Sequence, residues 1–174
     1  MTSELAMTTS TPRALWAACA TALLSACASY GPPRIQPGQP AELLKQSMGV
    51  PTGRYALPQQ ATRLEYARGP LGKHTYMVDV DAAGRVAGWQ QVLTEANFAT
   101  VTPGEPGDEL LQRLGRPSER RGGGWQGGEV WSYRYDAVFC QWFQVSVIDD
   151  RVKDSAYAPD PLCDADDNER SRRK

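Results

Sequence analysis

Side chains able to do covalent chemistry are scarce in this chain and poorly grouped. There is one histidine, His74, beside Lys73, and there are four cysteines. A His-based metal site needs further ligands at fixed spacing, and a Cys/His pair needs a free thiol beside the ring; neither has its parts here. Asp79 and Asp81 are separated by one residue, which turns both to one side of a strand. Two carboxylates so placed could share a cation, but a solvated strand edge and turn gives the same spacing. "DADDN" from Asp164 lacks the central Gly and distal Glu of a calcium loop. Ser118, Ser132 and Ser146 stand outside any nucleophile-elbow context. These residues predict no catalytic site, no metal and no cofactor. Lys and Arg number 19 against 20 acids, so no net field draws the chain to nucleic acid.

The one cysteine with a chemical context of its own is Cys27. It follows "ALWAACATALL", a charge-free run after Arg13. That run is too short to cross about 30 Å of hydrocarbon but suits the apolar region of a signal peptide. Leu24, Ser25, Ala26 and Cys27 resemble the bacterial lipobox: leucine, two small residues, then the cysteine whose thiol takes a diacylglyceryl group. The resemblance implies cleavage before Cys27 and an anchor of three acyl chains, each buried CH₂ contributing about 0.8 kcal/mol. Ala28 in place of aspartate implies sorting to the outer membrane, with the chain facing the periplasm. In that oxidising compartment Cys140 and Cys163 are expected to pair. A turn at Asp149-Asp150 brings Cys140 roughly opposite Pro159, within reach of "PDPLC".

A repeat organises the rest. "PGQPAELLKQSMGVPTGR" from Pro37 returns as "PGEPGDELLQRLGRPSER" from Pro103, with prolines, glycines and leucines in step. Tyr66 then answers Tyr133, Val78 answers Val145, and Arg85-Val86 answers Arg151-Val152. Each copy opens on a short helix with Pro40 or Pro106 in its first turn and Gly49 or Gly115 past its end. Alternation in "TRLEY", "TYMVDV" and "RVAGWQQV" predicts three strands, and "VWSYRY", "FCQWFQVSVI" and "RVKDSAY" predict three more. "LTEANFATV" predicts a short helix between the copies. The fold class is therefore expected to be α+β, two tandem ααβββ units with helices packed on meander sheets. The expected divisions are 1–26 signal peptide, 27–37 lipidated Pro-rich tether, 38–93 first unit, 94–163 second unit with the disulfide, and 164–174 charged tail.

At the paired "PG-x-P…LLxxxG-x-P" helices and the "Y…V-x-V…G-x-V" strands, the sequence resembles the SmpA/OmlA, or BamE-like, outer-membrane lipoproteins. Gly104 to Pro117 with Trp131-Ser132-Tyr133 matches best; the first copy has Met48 and Leu64 at two signature positions. The family implies a non-catalytic protein-binding or scaffolding role in outer-membrane assembly or envelope maintenance. Tandem units are also similar to secreted β-lactamase inhibitor proteins, which implies the alternative of an inhibitor of a periplasmic hydrolase. The expected partners are the membrane's inner leaflet, through the anchor, and an envelope protein. For the contact itself, "RRGGGWQGGEVW" sets five glycines around Trp125. No Lys-Ser/Thr follows it, so it is no phosphate loop. It reads either as a bare connector or as a binding finger of Arg120, Arg121 and Trp125, residue types that dominate interface hot spots.

Mass spectrometry of membrane-extracted protein tests the leader. An amino terminus at Cys27 carrying acyl mass is expected; an unmodified Cys27 still joined to Ala26 contradicts it.

Overall fold

The computed structural model describes residues 34–69, 72–122 and 127–163. Leu24, Ser25, Ala26, Cys27, Trp125 and the charged 164–174 segment lie outside them. In chain order the elements are α1 (Glu42–Met48), β1 (Gly53–Ala56), β2 (Thr62–Arg68), β3 (His74–Val80) and β4 (Val86–Gln91). Then come α2 (Glu95–Phe98), α3 (Gly107–Leu114), β5 (Glu119–Gly122), β6 (Glu129–Arg134), β7 (Gln141–Ile148) and β8 (Arg151–Pro159). Two antiparallel sheets result, ordered β1-β2-β3-β4 and β5-β6-β7-β8.

The expected α+β arrangement of two ααβββ units is not what forms. The chain is mostly β, each sheet has four strands instead of three, and the helices are few and short. β1 and β5 escape the alternation test for a physical reason. "GRYA" and "ERRG" are only four residues each, with Tyr55 and Ala56 their only apolar side chains, and both lie at sheet edges. Among the described residues only one helix precedes the first sheet, so helix pairs do not define the units either.

Both sheets hang on one backbone device, present once in each copy. Pro40 bridges to Arg85, and Pro106 bridges to Arg151. Gly38 N–H donates to Val86 O at 2.7 Å, and Val86 N–H to Gln39 O at 2.9 Å; Gly104, Val152 and Glu105 repeat both distances. Arg85 Nη1 and Arg151 Nη1 donate to the Gly38 and Gly104 carbonyls at 2.9 and 2.8 Å. The repeated "PG-x-P" and "RV" therefore stitch the chain entering each helix to the last hairpin of its sheet. Pro40 and Pro106 precede the helices instead of sitting within them. Pro106, at the N-cap of α3, is extended with ψ 141°. Gly49 and Gly115 end the helices with φ of 76° and 78° and ψ near the extended limit, a combination open to glycine almost alone.

Packing explains the burial pattern. α1 sets Leu44 and Met48 on Leu64, Tyr66, Tyr76, Val78 and Val80 of the first sheet. Leu43, beside Leu44 in sequence, faces away from that packing and is 45% exposed. α3 sets Leu110 and Leu114 on Trp131, Tyr133, Phe143, Val145 and Val147 of the second sheet. Met77 from the far side of the first sheet joins this second cluster, with Tyr55 and Leu111 packed against it. The layers therefore run helix, sheet, helix, sheet, and α3 lies between the two sheets. Covered on both faces, β3 is buried at five of its seven positions, a continuous pattern instead of an alternating one. β8 buries one residue in nine: it ends its sheet, no further layer covers its outer face among the described residues, and Ser155 and Tyr157 on its inner face are exposed as well. With seven- and eight-residue helices, this packing must hold them, since isolated helices of that length are unstable.

Cys140 and Cys163 form a disulfide with Cα atoms 6.2 Å apart, within the usual span. Gln141 stands opposite Pro159, and Asp160 N–H donates to Cys140 O at 3.2 Å. The bond clips the end of β8 to the start of β7. Asp160, 5% exposed, adds a forked ion pair to Arg134 at 2.7 and 3.2 Å. The bridge joins cysteines 23 residues apart, which limits the unfolded chain by about 3 kcal/mol. Cys140→Ser is expected to lose about that much stability in urea unfolding; an unchanged midpoint contradicts the clip.

Candidate functional site

Where the first sheet meets the end of α3, the sequence buries a carboxylate. Glu65 on β2 is fully buried. No ion pair reaches it among the described residues. Instead three donors converge: the Tyr55 hydroxyl at 2.6 Å, the Thr52 hydroxyl at 3.1 Å and the Arg116 N–H at 3.3 Å. Hydrogen bonds to a carboxylate are about twice as strong as neutral ones, and they offset its removal from water. Tyr55 and Thr52 belong to the first sheet's edge, while Arg116 follows α3. The carboxylate therefore ties the two halves together. Gly115 permits the approach: a Cβ there would lie 2.9 Å from Thr75 Cγ2 and 3.1 Å from Glu65 Cδ. Arg63 adds a second tie, donating to the Gln112 carbonyl at 3.1 Å while holding Asp79 at 2.7 and 2.8 Å.

Beside this tie lies an open cleft of about 530 Å³, walled by Gly53–Tyr55 of β1 on one side and Ser118–Arg120 on the other. Among the described residues β1 and β5 are both end strands, so each carries an outer edge with no neighbouring strand there. The Ala56 carbonyl on the β1 edge accepts a 3.4 Å bond from the Gln112 side chain. Arg54, Arg116 and Arg120 line the cleft with one acid, Glu119. Glu119 is already neutralised by Arg121 at 2.5 Å and Arg134 at 3.8 Å. Arg120 lies 4.1 Å over the Trp131 ring and 3.6 Å from Glu129. Neither Arg54 nor Arg116 has an ion-pair partner among the described residues. The serine on the wall, Ser118, accepts the Arg134 N–H at 3.0 Å, and no base is bonded to it among the described residues. The cleft is cationic, stands beside the Glu65 tie and is edged by two end strands. It can hold an anionic, extended ligand.

The residues singled out in the sequence are dispersed. Arg120 lines the cleft, whereas Arg121 does not and pairs with Glu119 at 2.5 Å. Trp125 lies outside the described residues. Asp79 is taken by Arg63, and Asp81 accepts the Ala83 and Arg85 N–H groups of its own turn at 2.9 Å each, so the two share no cation. His74 stands 3.6 Å from Asp136 at the start of β3. Sequence pattern alone does not find Arg54, Arg116 or Tyr55 as site residues. For Arg54 a signal is present: it closes the first copy of the aligned repeat, as Arg120 closes the second.

No protein-family model matches the chain, and no curated protein does. Among solved structures, a cysteine-rich secretory protein from Staphylococcus aureus aligns at 10% identity with a TM-score of 0.28. The alignment covers 75% of this chain and 46% of that one, so this chain spans less than half of that protein's length. A likeness at that level carries no argument about either fold or role.

Burial pushes the Tyr55 hydroxyl far above its usual range, and Glu65 beside it adds to the shift; Arg116 and Arg120 oppose it. Tyr133, whose hydroxyl donates to the Gly115 carbonyl at 3.3 Å, is raised likewise by its burial. A raised phenol favours the folded state fully below the unfolded value of about 10, and that contribution is lost as pH climbs above it. Unfolding midpoints are expected to fall above about pH 10, and less steeply in Tyr55→Phe; an identical alkaline slope contradicts the assignment. At neutral pH, Tyr55→Phe leaves Glu65 one donor short and should cost about 1–3 kcal/mol.

Proposed function

We propose that this chain is a non-catalytic binding protein of the bacterial envelope, and that its docking surface is the cleft between β1 and β5. The occupant we assign is an extended acidic segment of another envelope protein. The observation that carries the reading is the cleft's composition. Two strands that end their sheets among the described residues flank three arginines, of which Arg54 and Arg116 have no ion pair there, and the single acid, Glu119, is held by Arg121 and Arg134.

An extended segment added to a sheet edge gains affinity from main-chain hydrogen bonds and specificity from side chains at alternate positions. Complementary charge steers the encounter and rejects basic segments. Other edges in the molecule differ. β8 carries Arg151, Lys153 and Asp154, charges of both signs that guard an exposed strand against indiscriminate pairing.

The address comes from the lipobox-like Leu24, Ser25, Ala26 and Cys27, with the Pro-rich segment after them as a tether. Confinement of both partners to one membrane raises their effective concentration, so a small interface suffices. From the resemblance to SmpA/OmlA lipoproteins this reading takes only the address and the binding role, since the ααβββ arrangement expected from that family is not the fold here. No helix of the described residues is long and apolar enough to cross a membrane, and the attachment proposed is the acyl anchor.

Photo-crosslinking in cells tests the proposal. A crosslinking residue at Ser118, on the cleft wall, is expected to capture an envelope protein that one at Lys153 does not. Reversing charge with Arg54→Glu and Arg116→Glu together should reduce that adduct at least tenfold. Equal capture from Lys153, or capture indifferent to charge reversal, contradicts the assignment.

A further inference from the structure

The two copies share a frame but not its filling. The pairing of Arg54 with Leu64 in the first copy answers that of Arg120 with Trp131 in the second, and Thr62 opposite Val80 answers Glu129 opposite Val147. In the second copy a tryptophan takes the leucine's place between helix and sheet. The Trp131 Nε1 donates to Glu129 at 2.7 Å, and Arg120 is capped on the ring. Gly107 fits this arrangement, because a Cβ there would lie 3.2 Å from Trp131 Cη2. In the first copy leucine replaces tryptophan and threonine replaces glutamate. An open pocket of about 280 Å³ remains, walled by Ala41, Lys45, Arg54, Thr62, Leu64 and Tyr66.

Two polar groups of the first copy also lack the partners that their counterparts have in the second. The Tyr133 hydroxyl donates to the Gly115 carbonyl, whereas the hydroxyl of Tyr66, 1% exposed, has no partner among the described residues. Arg54 has neither ring nor acid among them, while its counterpart Arg120 has both. Lys45 holds Glu42 at 3.1 Å, and Asp81 at the rim accepts two N–H groups of its own turn.

We infer that this pocket binds a small carboxylate with a compact apolar body. Arg54, the lining cation without an ion pair among the described residues, matches a single negative charge, and Glu42 and Asp81 nearby disfavour a phosphate dianion. Tyr66 and Thr62 supply hydroxyl donors, and Leu64 and Val80 form the apolar floor. The volume sits near the lower end of the roughly 300–1,000 Å³ common for ligand pockets, which fits a ligand about the size of one substituted ring. The site is separate from the protein-docking cleft, although Arg54 borders both.

Titration of the full chain with benzoate, and with benzamide as its neutral counterpart, tests this, followed by NMR at the Gln60, Thr62 and Ala82 amides. Benzoate is expected to give saturable shifts there, with benzamide at least tenfold weaker. Tyr66→Phe and Arg54→Gln should each weaken benzoate about tenfold, the worth of a hydrogen bond to a charged group. Leu64→Trp installs the residue that the second copy holds, and should abolish the shifts while leaving the docking cleft open. Benzamide binding as tightly as benzoate, an absence of saturable shifts, or undiminished binding in folded Leu64→Trp overturns the inference. Should Leu64→Trp fail to fold, Arg54→Gln and the benzamide comparison decide it.

Discussion

A carboxylate taken wholly out of water is expensive unless its lone pairs are filled, and Glu65 sets that constraint for this molecule. Its donors come from Thr52, Tyr55 and the N–H of Arg116, so it is satisfied only when the first sheet's edge and the end of α3 are both in place. That requirement brings Gly115 against Thr75 and Met77, and makes α3 a layer shared by both sheets. The cleft between β1 and β5 follows directly, because its floor and one wall are the chain that leaves α3 beside Glu65. A pair of independent units would have no such cleft.

Duplication supplies the frame and divergence supplies the surfaces. Pro40 and Pro106 bridge to the hairpin arginines in the same way, and the arginine bond to the glycine carbonyl is 2.9 Å in one copy and 2.8 Å in the other. What differs is what lies inside. Trp131, Glu129 and Arg120 lock together in the second copy, while Leu64, Thr62 and Arg54 do not in the first. The far face of each sheet diverges as well. Glu65, Thr75 and Met77 receive α3, whereas the second sheet turns Ser132, Gln144 and Ser146 outward and covers Trp142 with Arg134. The stack ends there because that face has become polar.

Much of this frame was legible in the sequence. The repeat, both longer helices, the α2 segment and six of the eight strands follow from proline, glycine and alternating apolar residues, and the pairing of Cys140 with Cys163 follows from the hairpin between them. The architecture was not. β1 and β5 are four residues each and hold only Tyr55 and Ala56 besides Gly, Arg and Glu, too few for an apolar alternation, and two missing strands turn a sheet-dominated chain into an apparent α+β one. The period-two reading of "TYMVDV" found Tyr76, Val78 and Val80 but not that Thr75 and Met77 are buried on the other face. Local pattern reports one covered face; a second covering from far along the chain has no local signature. For the same reason Arg120 was found beside Arg121, its neighbour in sequence, and not beside Arg54, its neighbour across the cleft.

The central claim is that the two sheets form one cooperative body, closed around Glu65, and that the cleft belongs to that body. Native-state amide hydrogen exchange at low denaturant measures this most directly. One body predicts that the buried amides of β2 and β3 open with the same free energy and denaturant slope as those of β6 and β7. Exchange of the first sheet at distinctly lower free energy, with the second sheet still protected, would contradict it.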